Sequence, residues 1–226
     1  MSTRTRKQQH QAKIIIVDDH PILRRGLTAL IESESDLTVC GEAATCHDAL
    51  EVIQKNQPDL VLVDLELFGC NGLDLIKTMK MRHSTIPTLV LSMHDESVYA
   101  GRVLRAGAFG YISKLQLDET LLLAIRRVLD GETYMSEKMM QRFARKYIGG
   151  QTLAAETPVD VLSDRELQVF RLIGQGRSTR QIGEVLTLSI KTIESHAEHI
   201  KHKLTLASAP ELAQCATQWV EVGQIK

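Results

Sequence analysis

The sequence lacks the long apolar stretches that mark membrane proteins and secretion signals. No run within its 226 residues approaches the ~18 apolar residues that a membrane-spanning helix needs. Residues 1–12 are polar and basic, without the apolar segment of a signal peptide, and we expect a disordered tail there. These absences favour a cytoplasmic protein with no membrane partner.

Aromatic residues, paired metal-binding cysteines and nucleotide-binding motifs are also scarce or absent. Aromatics make up 4% of the chain, so aliphatic side chains must fill its cores. No Gly-Lys-Ser/Thr loop or Gly-x-Gly-x-x-Gly turn occurs, which disfavours a nucleotide-binding enzyme. The cysteines lie among apolar neighbours without metal-ligand spacing, and we expect all four to be reduced thiols: Cys40, Cys46, Cys70 and Cys215.

Two different patterns divide the chain. Residues 13–130 alternate short β-branched runs with amphipathic helical patterns, which predicts a doubly wound α/β domain with a five-stranded parallel sheet. Residues 160–226 contain only helical patterns, beginning with a capping box at Ser163, and predict a small all-α domain. Residues 131–159 between them are expected to be a linker with one basic amphipathic helix.

Polar residues occur where the predicted strands end. Asp18 and Asp19 end the first strand, Asp64 the third and Ser92 the fourth, and Lys114 follows the fifth. Ligands of parallel sheets bind at the carboxyl ends of the strands. Carboxylates held together are tolerated when a divalent cation lies between them, and oxygen ligands favour Mg²⁺. The pattern predicts a phosphoryl-transfer site in which an aspartate can be the nucleophile.

The motifs around these residues resemble the receiver domain of response regulators of the NarL/FixJ group. The resemblance covers about residues 13–129 and implies a flavodoxin-like receiver that a sensor histidine kinase phosphorylates on Asp64. Five motifs carry it, in order: Val17-Asp-Asp-His-Pro21, Val63-Asp-Leu65, Gly69 with Asn71-Gly72, Leu91-Ser-Met93, and Gly107-Ala-Phe-Gly-Tyr-Ile-Ser-Lys114. One departure is Phe68, where the family often has proline, which leaves the shape of that loop open.

The same resemblance implies a role for each residue of the site. Lys114 would pair with the phosphate, Ser92 would hydrogen-bond to it, and Tyr111 would turn inward behind it. Four oxygen donors would hold Mg²⁺: Asp18, Asp19, Asp64 and the main-chain carbonyl of Glu66.

The C-terminal part resembles a LuxR-type DNA-binding domain over residues 161–219. The matching motifs are Leu162-Ser-Asp-Arg-Glu166, Ile173-Gly-Gln-Gly176, Ser178-Thr-Arg-Gln-Ile182, Leu188-Ser-Ile-Lys-Thr-Ile-Glu-Ser-His196 and Ile200-Lys-His-Lys-Leu204. The resemblance implies that the helix at 190–204 enters the major groove. Side chains expected to face base edges are Lys191, Glu194, Ser195 and Glu198. Candidate contacts to DNA phosphates are Thr179, Arg180, Thr192, Lys201 and Lys203.

The charge of this domain bears on its affinity for DNA. Residues 160–226 contain eight basic and eight acidic residues. A monomer without net charge neutralises few phosphates, so we expect tight binding to need a homodimer on two half-sites. The last helix is the expected dimer surface, with packing inside its own domain as the alternative; its candidate residues are Leu212, Cys215, Ala216 and Trp219.

These features together predict a transcriptional regulator rather than an enzyme. Phosphorylation of Asp64 would favour a dimeric, promoter-binding state, and the receiver would take part only in its own phosphorylation and dephosphorylation. An aspartyl phosphatase would also use Asp64, but it usually has a second aspartate where this chain has Glu66, and the C-terminal part would have no role. A phosphate-independent transcription factor with a vestigial receiver remains the alternative.

Overall fold

The computed structural model describes residues 11–82, 85–148 and 158–224. The chain divides into two compact units. The first comprises Met1–Leu67, Asn71–Met93 and Val103–Met135, and the second comprises Phe68–Cys70, His94–Arg102 and Ser136–Lys226. The expected basic tail therefore lies outside the described residues except for its last two positions, and the first strand begins at Ala12.

The first unit is built on a five-stranded parallel sheet, as the sequence predicts. Its strands are β1 (Ala12–Val17), β2 (Leu37–Ala43), β3 (Leu60–Asp64), β6 (Thr88–Ser92) and β7 (Gly110–Ser113), in the order β2-β1-β3-β6-β7. Two strands of two residues each were not expected and follow β3: β4 (Glu66–Leu67) and β5 (Cys70–Asn71). The order reverses at β1, and ligands of doubly wound sheets bind at such a switch point.

A helix follows each of the five long strands. These helices are α1 (Pro21–Glu32), α2 (Cys46–Asn56), α3 (Gly72–Met81), α4 (Glu96–Ala106) and α5 (Leu117–Leu129). Local signals set their starts: Pro21 occupies the first turn of α1, while Thr45 and Asn71 accept backbone N–H groups as the N-caps of α2 and α3.

The core covers both faces of the sheet. On one face, strand residues such as Ile14, Leu62 and Leu91 pack with α1 and α5. The alternate residues, among them Ile15 and Val63, point to the opposite face and are equally buried. Burial on both faces explains why the inner strands β3 and β6 are continuous apolar runs. In these strands, the polar side chains Asp64 and Ser92 come at the carboxyl end.

The elements in the described residues of the C-terminal part are helices. They are α6 (Glu137–Ile148), α7 (Asp164–Gly174), α8 (Thr179–Leu186), α9 (Ile190–Leu204) and α10 (Ala209–Gln224). Ser163 and Ser178 form capping boxes for α7 and α8, and Ser189 caps α9. Of the loop expected after α6, residues 149–157 lie outside the described residues. None of the helices in the described part of the chain is long and apolar enough to cross a membrane.

The cysteines differ from expectation. Cys46 and Cys70 are disulfide-bonded, whereas Cys40 and Cys215 are free thiols. The expectation of four reduced cysteines is therefore wrong for two of them. Cys46 begins α2 and Cys70 lies in β5, and neither the linear spacing nor the apolar neighbours of these residues indicates a disulfide.

Candidate functional site

Buried acidic and basic side chains lie at the carboxyl end of the sheet. Asp18 follows β1 and is 1% exposed, and Asp64 ends β3 and is 3% exposed. Lys114 follows β7, and its Nζ donates hydrogen bonds of 2.6 Å to Asp18 Oδ2 and 2.6 Å to Asp64 Oδ2. The structure thus brings three of the predicted site residues into direct contact.

The Lys114 ammonium is held in its charged form. Burial lowers the pKa of Lys114, but the carboxylates of Asp64 and Asp18 outweigh burial, and the net shift is upward. A fixed positive charge therefore lies beside the Asp64 carboxylate, where it can pair with an anionic group bound there.

The carboxyl group of Asp64 titrates much closer to neutrality than an ordinary aspartate. Burial raises its pKa to about 6, Lys114 opposes this shift, and the charges of Asp18 and Asp19 add to it. The backbone N–H of Glu66 also donates to Asp64 Oδ1 at 3.2 Å. Above pH ~6 Asp64 is an ionised, partly desolvated carboxylate, which is the form that acts as a nucleophile.

A third carboxylate completes a set of oxygen ligands. Oxygen or nitrogen atoms of Asp18, Asp19, His20 and Asp64 all lie within 4.8 Å of one another. Asp19 Oδ1 is buried and makes no hydrogen bond, although His20 Nδ1 lies 2.8 Å away. An oxygen left without a hydrogen bond beside two other carboxylates fits a hard divalent cation such as Mg²⁺.

His20 is a neighbour of the site that sequence reasoning missed. Its backbone N–H donates to Asp18 Oδ1 at 2.7 Å, and its Nδ1 lies 3.1 Å from the same oxygen. The signal was present, because His20 belongs to the Asp-Asp-His-Pro motif. The structure shows that it orients the Asp18 carboxylate.

The two predicted switch residues lie inside the first unit. Ser92 ends β6 and is fully buried, and Tyr111 in β7 is 1% exposed. The ring of Tyr111 therefore lies inward in this structure. Its response to phosphorylation stays a prediction.

Proton competition leads to a prediction about Mg²⁺. Because the pKa of Asp64 is raised to about 6, the carboxyl group must lose a proton before it can ligate a cation below that pH. We expect the Mg²⁺ dissociation constant, measured by isothermal titration calorimetry, to increase about tenfold from pH 7 to pH 5. Equal dissociation constants at both pH values would contradict the role of Asp64 as a ligand, and Asp64→Asn should show a smaller pH dependence.

The second candidate surface is the outer face of α9. Ile193 and Ile200 are buried and fix the inner face of this helix. The four predicted base-reading residues share the opposite, exposed face: Lys191, Glu194, Ser195 and Glu198. Their common exposure matches the prediction that they face outward, because positions separated by three, four and seven residues lie on one side of a helix.

The predicted phosphate-contacting cations are engaged in ion pairs. Lys203 Nζ donates to Glu166 Oε2 at 2.6 Å, Lys201 Nζ lies 2.9 Å from Glu198 Oε1, and Arg180 Nε lies 3.1 Å from Glu184 Oε1. The hydroxyl residues Thr179 and Thr192 lie at the first turns of α8 and α9, and Thr192 N donates to Ser189 Oγ. Contact with DNA would require these cations to share or leave their carboxylates.

Glu166 has a structural role that joins α7 to α9. It is 4% exposed, and its Oε2 accepts both the Lys203 ammonium at 2.6 Å and the backbone N–H of Ser163 at 2.7 Å. Burial alone would raise the pKa of Glu166, but the hydrogen bonds from Lys203 and Ser163 hold it below the usual value. Lys203 therefore stabilises the position of α9 whether or not it also contacts DNA.

Helix α10 supplies less free surface than expected. Leu212 and Ala216 are buried, which agrees with the alternative that this helix packs inside its own domain. The predicted dimer surface therefore does not include these two residues. Cys215 and Trp219 are partly exposed, with the Trp219 ring 5.7 Å from the ring of Phe170. These two residues remain predicted contacts.

Comparison with known proteins agrees with this geometry. The family described as "Response regulator receiver domain" matches residues 14–126, and the family described as "Bacterial regulatory proteins, luxR family" matches residues 160–216. The chain belongs to the response regulators with a LuxR-type DNA-binding domain. It is a transcriptional regulator whose receiver has its acidic site in place, which disfavours a vestigial receiver.

Two similar proteins match nearly the whole chain, and a third matches part of it. The oxygen regulatory protein NreC of Staphylococcus haemolyticus is 38% identical over 210 residues, which cover 90% of this chain and 96% of NreC. RcsB of Salmonella enterica serovar Typhimurium, solved bound to promoter rprA with phosphomimetic BeF₃⁻, is 25% identical with a TM-score of 0.64, covering 92% of this chain and 99% of RcsB. A two-component response regulator of the LuxR family from Aurantimonas is 33% identical with a TM-score of 0.57. The match covers 61% of this chain and 99% of that regulator.

Proposed function

We propose that this regulator accepts a phosphoryl group on Asp64 from a sensor histidine kinase and then binds promoter DNA as a homodimer. One observation carries the proposal. A nearly buried carboxylate at the end of β3 has a lysine ammonium 2.6 Å away and two further aspartates beside it. Such a site combines a nucleophile, a fixed cation and a set of metal ligands, and it lies in a receiver domain joined to a DNA-binding domain.

The residues of this site would divide the work of phosphoryl transfer. The carboxylates of Asp18, Asp19 and Asp64, with the main-chain carbonyl of Glu66, would hold Mg²⁺. When bound, Mg²⁺ neutralises charge that develops on the transferring phosphoryl group. Asp64 Oδ attacks phosphorus and the leaving group keeps the electron pair of the broken bond, while Lys114 exchanges its bond to Asp64 for one to a phosphate oxygen.

The buried hydroxyl of Ser92 would report the new phosphate to the remainder of the receiver. A hydrogen bond from Ser92 Oγ to a phosphate oxygen would shift the end of β6, which is paired with β7. Tyr111 lies in β7 and would adjust to that shift. The free energy of the new bonds then favours a second arrangement of the receiver over the first.

The exposed face of α9 would read base edges in the major groove. Glu194 and Glu198 lie one turn apart there, and carboxylates accept hydrogen bonds from cytosine N4. Lys191 and Ser195 complete the face. Phosphate contacts would come from Thr179, Arg180, Thr192, Lys201 and Lys203. Cys215 and Trp219 on α10 would contribute to the dimer contact.

The experiment compares the full chain before and after treatment with acetyl phosphate and Mg²⁺. Intact mass measures phosphate uptake, light scattering measures the dimer, and selection from random-sequence DNA supplies the site for an affinity measurement. We expect one phosphate per chain, more dimer and tighter binding to a site that contains cytosine at the read positions. No phosphate uptake with unchanged DNA binding would favour the phosphate-independent alternative instead.

A further inference from the structure

An arginine of the first receiver helix lies beside the peptide that joins two of the proposed metal ligands, Asp18 and Asp19. Nη1 of Arg24 donates to the main-chain oxygen of Asp18 at 2.6 Å. Arg24 belongs to α1, which begins two residues after Asp19, and 17% of its side chain is exposed. The guanidinium therefore reaches back from the helix to the residue that follows β1.

A second hydrogen bond fixes the plane of this guanidinium. Arg24 Nε donates to Glu42 Oε2 at 3.1 Å, and Glu42 Oε1 accepts the Thr28 hydroxyl at 2.9 Å. Glu42 lies in β2, and Thr28 lies one turn further along α1. Because Nε and Nη1 belong to one rigid plane, the bond to Glu42 also sets the direction of the bond to Asp18. A lysine ammonium lacks this planar pair of donors.

The carbonyl group of Asp18 determines where the chain places Asp19. A peptide unit is planar, so the direction of the Asp18 oxygen also sets the direction in which the chain continues to Asp19. The backbone N–H of Asp18 donates to Ala43 O at 3.1 Å, which fixes the beginning of this residue. The bond from Arg24 fixes its end. The two bonds together hold the backbone from which the Asp19 side chain projects.

The Asp19 carboxylate depends on this backbone more than the Asp18 carboxylate does. Asp18 accepts hydrogen bonds from Lys114 Nζ and from the backbone N–H of His20. By contrast, Asp19 Oδ1 is buried and accepts no hydrogen bond from the described residues. His20 Nδ1 lies 2.8 Å from this oxygen, but 66% of the His20 side chain is exposed, so the ring is a weak restraint. The main-chain direction at Asp19 therefore decides whether its carboxylate stays beside the other two.

We propose that Arg24 is a positioning residue for the metal site: its bond to the Asp18 carbonyl keeps the Asp19 carboxylate where it can join Asp18 and Asp64 as a ligand of Mg²⁺. The inference rests on the proposed function, because it concerns the metal ligands of the phosphorylation site. Loss of a group that orients metal ligands typically weakens metal affinity or activity by about 10- to 100-fold. Charge alone predicts the opposite sign, because removing a cation near three carboxylates strengthens the binding of another cation. The sign of the effect therefore separates positioning from charge.

The test measures Mg²⁺ binding by isothermal titration calorimetry and phosphate uptake from acetyl phosphate, both on the full chain. We expect Arg24→Ala to raise the Mg²⁺ dissociation constant about 10- to 100-fold. Its phosphate uptake should need correspondingly more Mg²⁺ to reach half of the maximal rate and should recover towards the wild-type rate at saturating Mg²⁺. Arg24→Lys, which keeps the charge without the planar donors, should show a smaller loss in the same direction. Arg25→Ala is the matched control and should behave as wild type, because Arg25 is the next residue of α1 and is exposed.

Other outcomes separate this inference from the proposed function. If wild type binds Mg²⁺ and Arg24→Ala binds it equally well or more tightly, the positioning role is overturned and the proposed function stands. Lower stability in urea unfolding with an unchanged Mg²⁺ dissociation constant would show that Arg24 supports the fold alone, which also overturns the positioning role. A wild-type chain that binds no Mg²⁺ and takes up no phosphate would overturn the proposed function and the inference with it. If Arg24→Ala does not fold, Arg24→Lys decides, and a wild-type dissociation constant in that variant overturns the inference.

Discussion

The Asp64→Asn variant is expected to take up no phosphate from acetyl phosphate and Mg²⁺ under conditions in which the wild-type chain gains one. The amide that replaces the carboxylate is too weak a nucleophile to attack phosphorus, and it removes one ligand of the proposed metal site. Its DNA affinity should be the same with and without acetyl phosphate, whereas wild type should gain about 5- to 150-fold. Intact mass and DNA titration on the same samples measure both effects.

A matched aspartate distinguishes this result from a general effect of charge. Asp74→Asn removes a carboxylate from α3, where the side chain is exposed and lies 3.9 Å from Lys77 Nζ. This control should be phosphorylated and should respond to phosphate as wild type does. Phosphate uptake by Asp64→Asn at the wild-type rate would show that another residue is the acceptor, and the proposed chemistry would then be wrong.

Much of the receiver fold could be predicted because its inner strands are buried on both faces and are therefore short apolar runs. The runs at Leu60–Asp64 and Thr88–Ser92 are such strands. In a parallel sheet, the order of these runs also predicts that the residues ending them share one edge. The meeting of Asp18, Asp64 and Lys114 follows from that rule, although they are far apart in sequence.

The sequence could not predict side-chain hydrogen bonds and ion pairs between helices that are far apart along the chain. No helical or strand periodicity connects such residues. The guanidinium of Arg102 has the same helical spacing as an ordinary surface residue, and only the fold shows that it binds three acceptors beyond α6. Similarly, Lys203 was predicted to contact DNA phosphate, and the structure shows its ion pair with Glu166. Both pairings depend on where separate helices meet, which local propensity does not encode.

The close approach of Gly72 to Asp64 leads to the second large expected effect. A Cβ at Gly72 would lie 2.1 Å from Asp64 O and 3.0 Å from Leu65 Cα, far inside van der Waals contact. Because backbone atoms cannot rotate away as a side chain can, Gly72→Ala must displace the end of β3 or the start of α3. We expect about 1–3 kcal/mol lower stability in urea unfolding, and at least tenfold slower phosphate uptake because the Asp64 carboxylate moves with its backbone.

Gly26 provides the control for this argument. It lies inside α1, and a Cβ there would meet no atom within 4 Å. Alanine is the better helix former, so Gly26→Ala should raise stability by about 0.4–1 kcal/mol and leave phosphate uptake unchanged. If Gly72→Ala behaves like Gly26→Ala in both assays, the loop after Asp64 adapts without cost and the close approach does not position the acceptor. If only Gly72→Ala loses uptake, the backbone contact between Gly72 and Asp64 is what holds the nucleophile at the rim of the sheet.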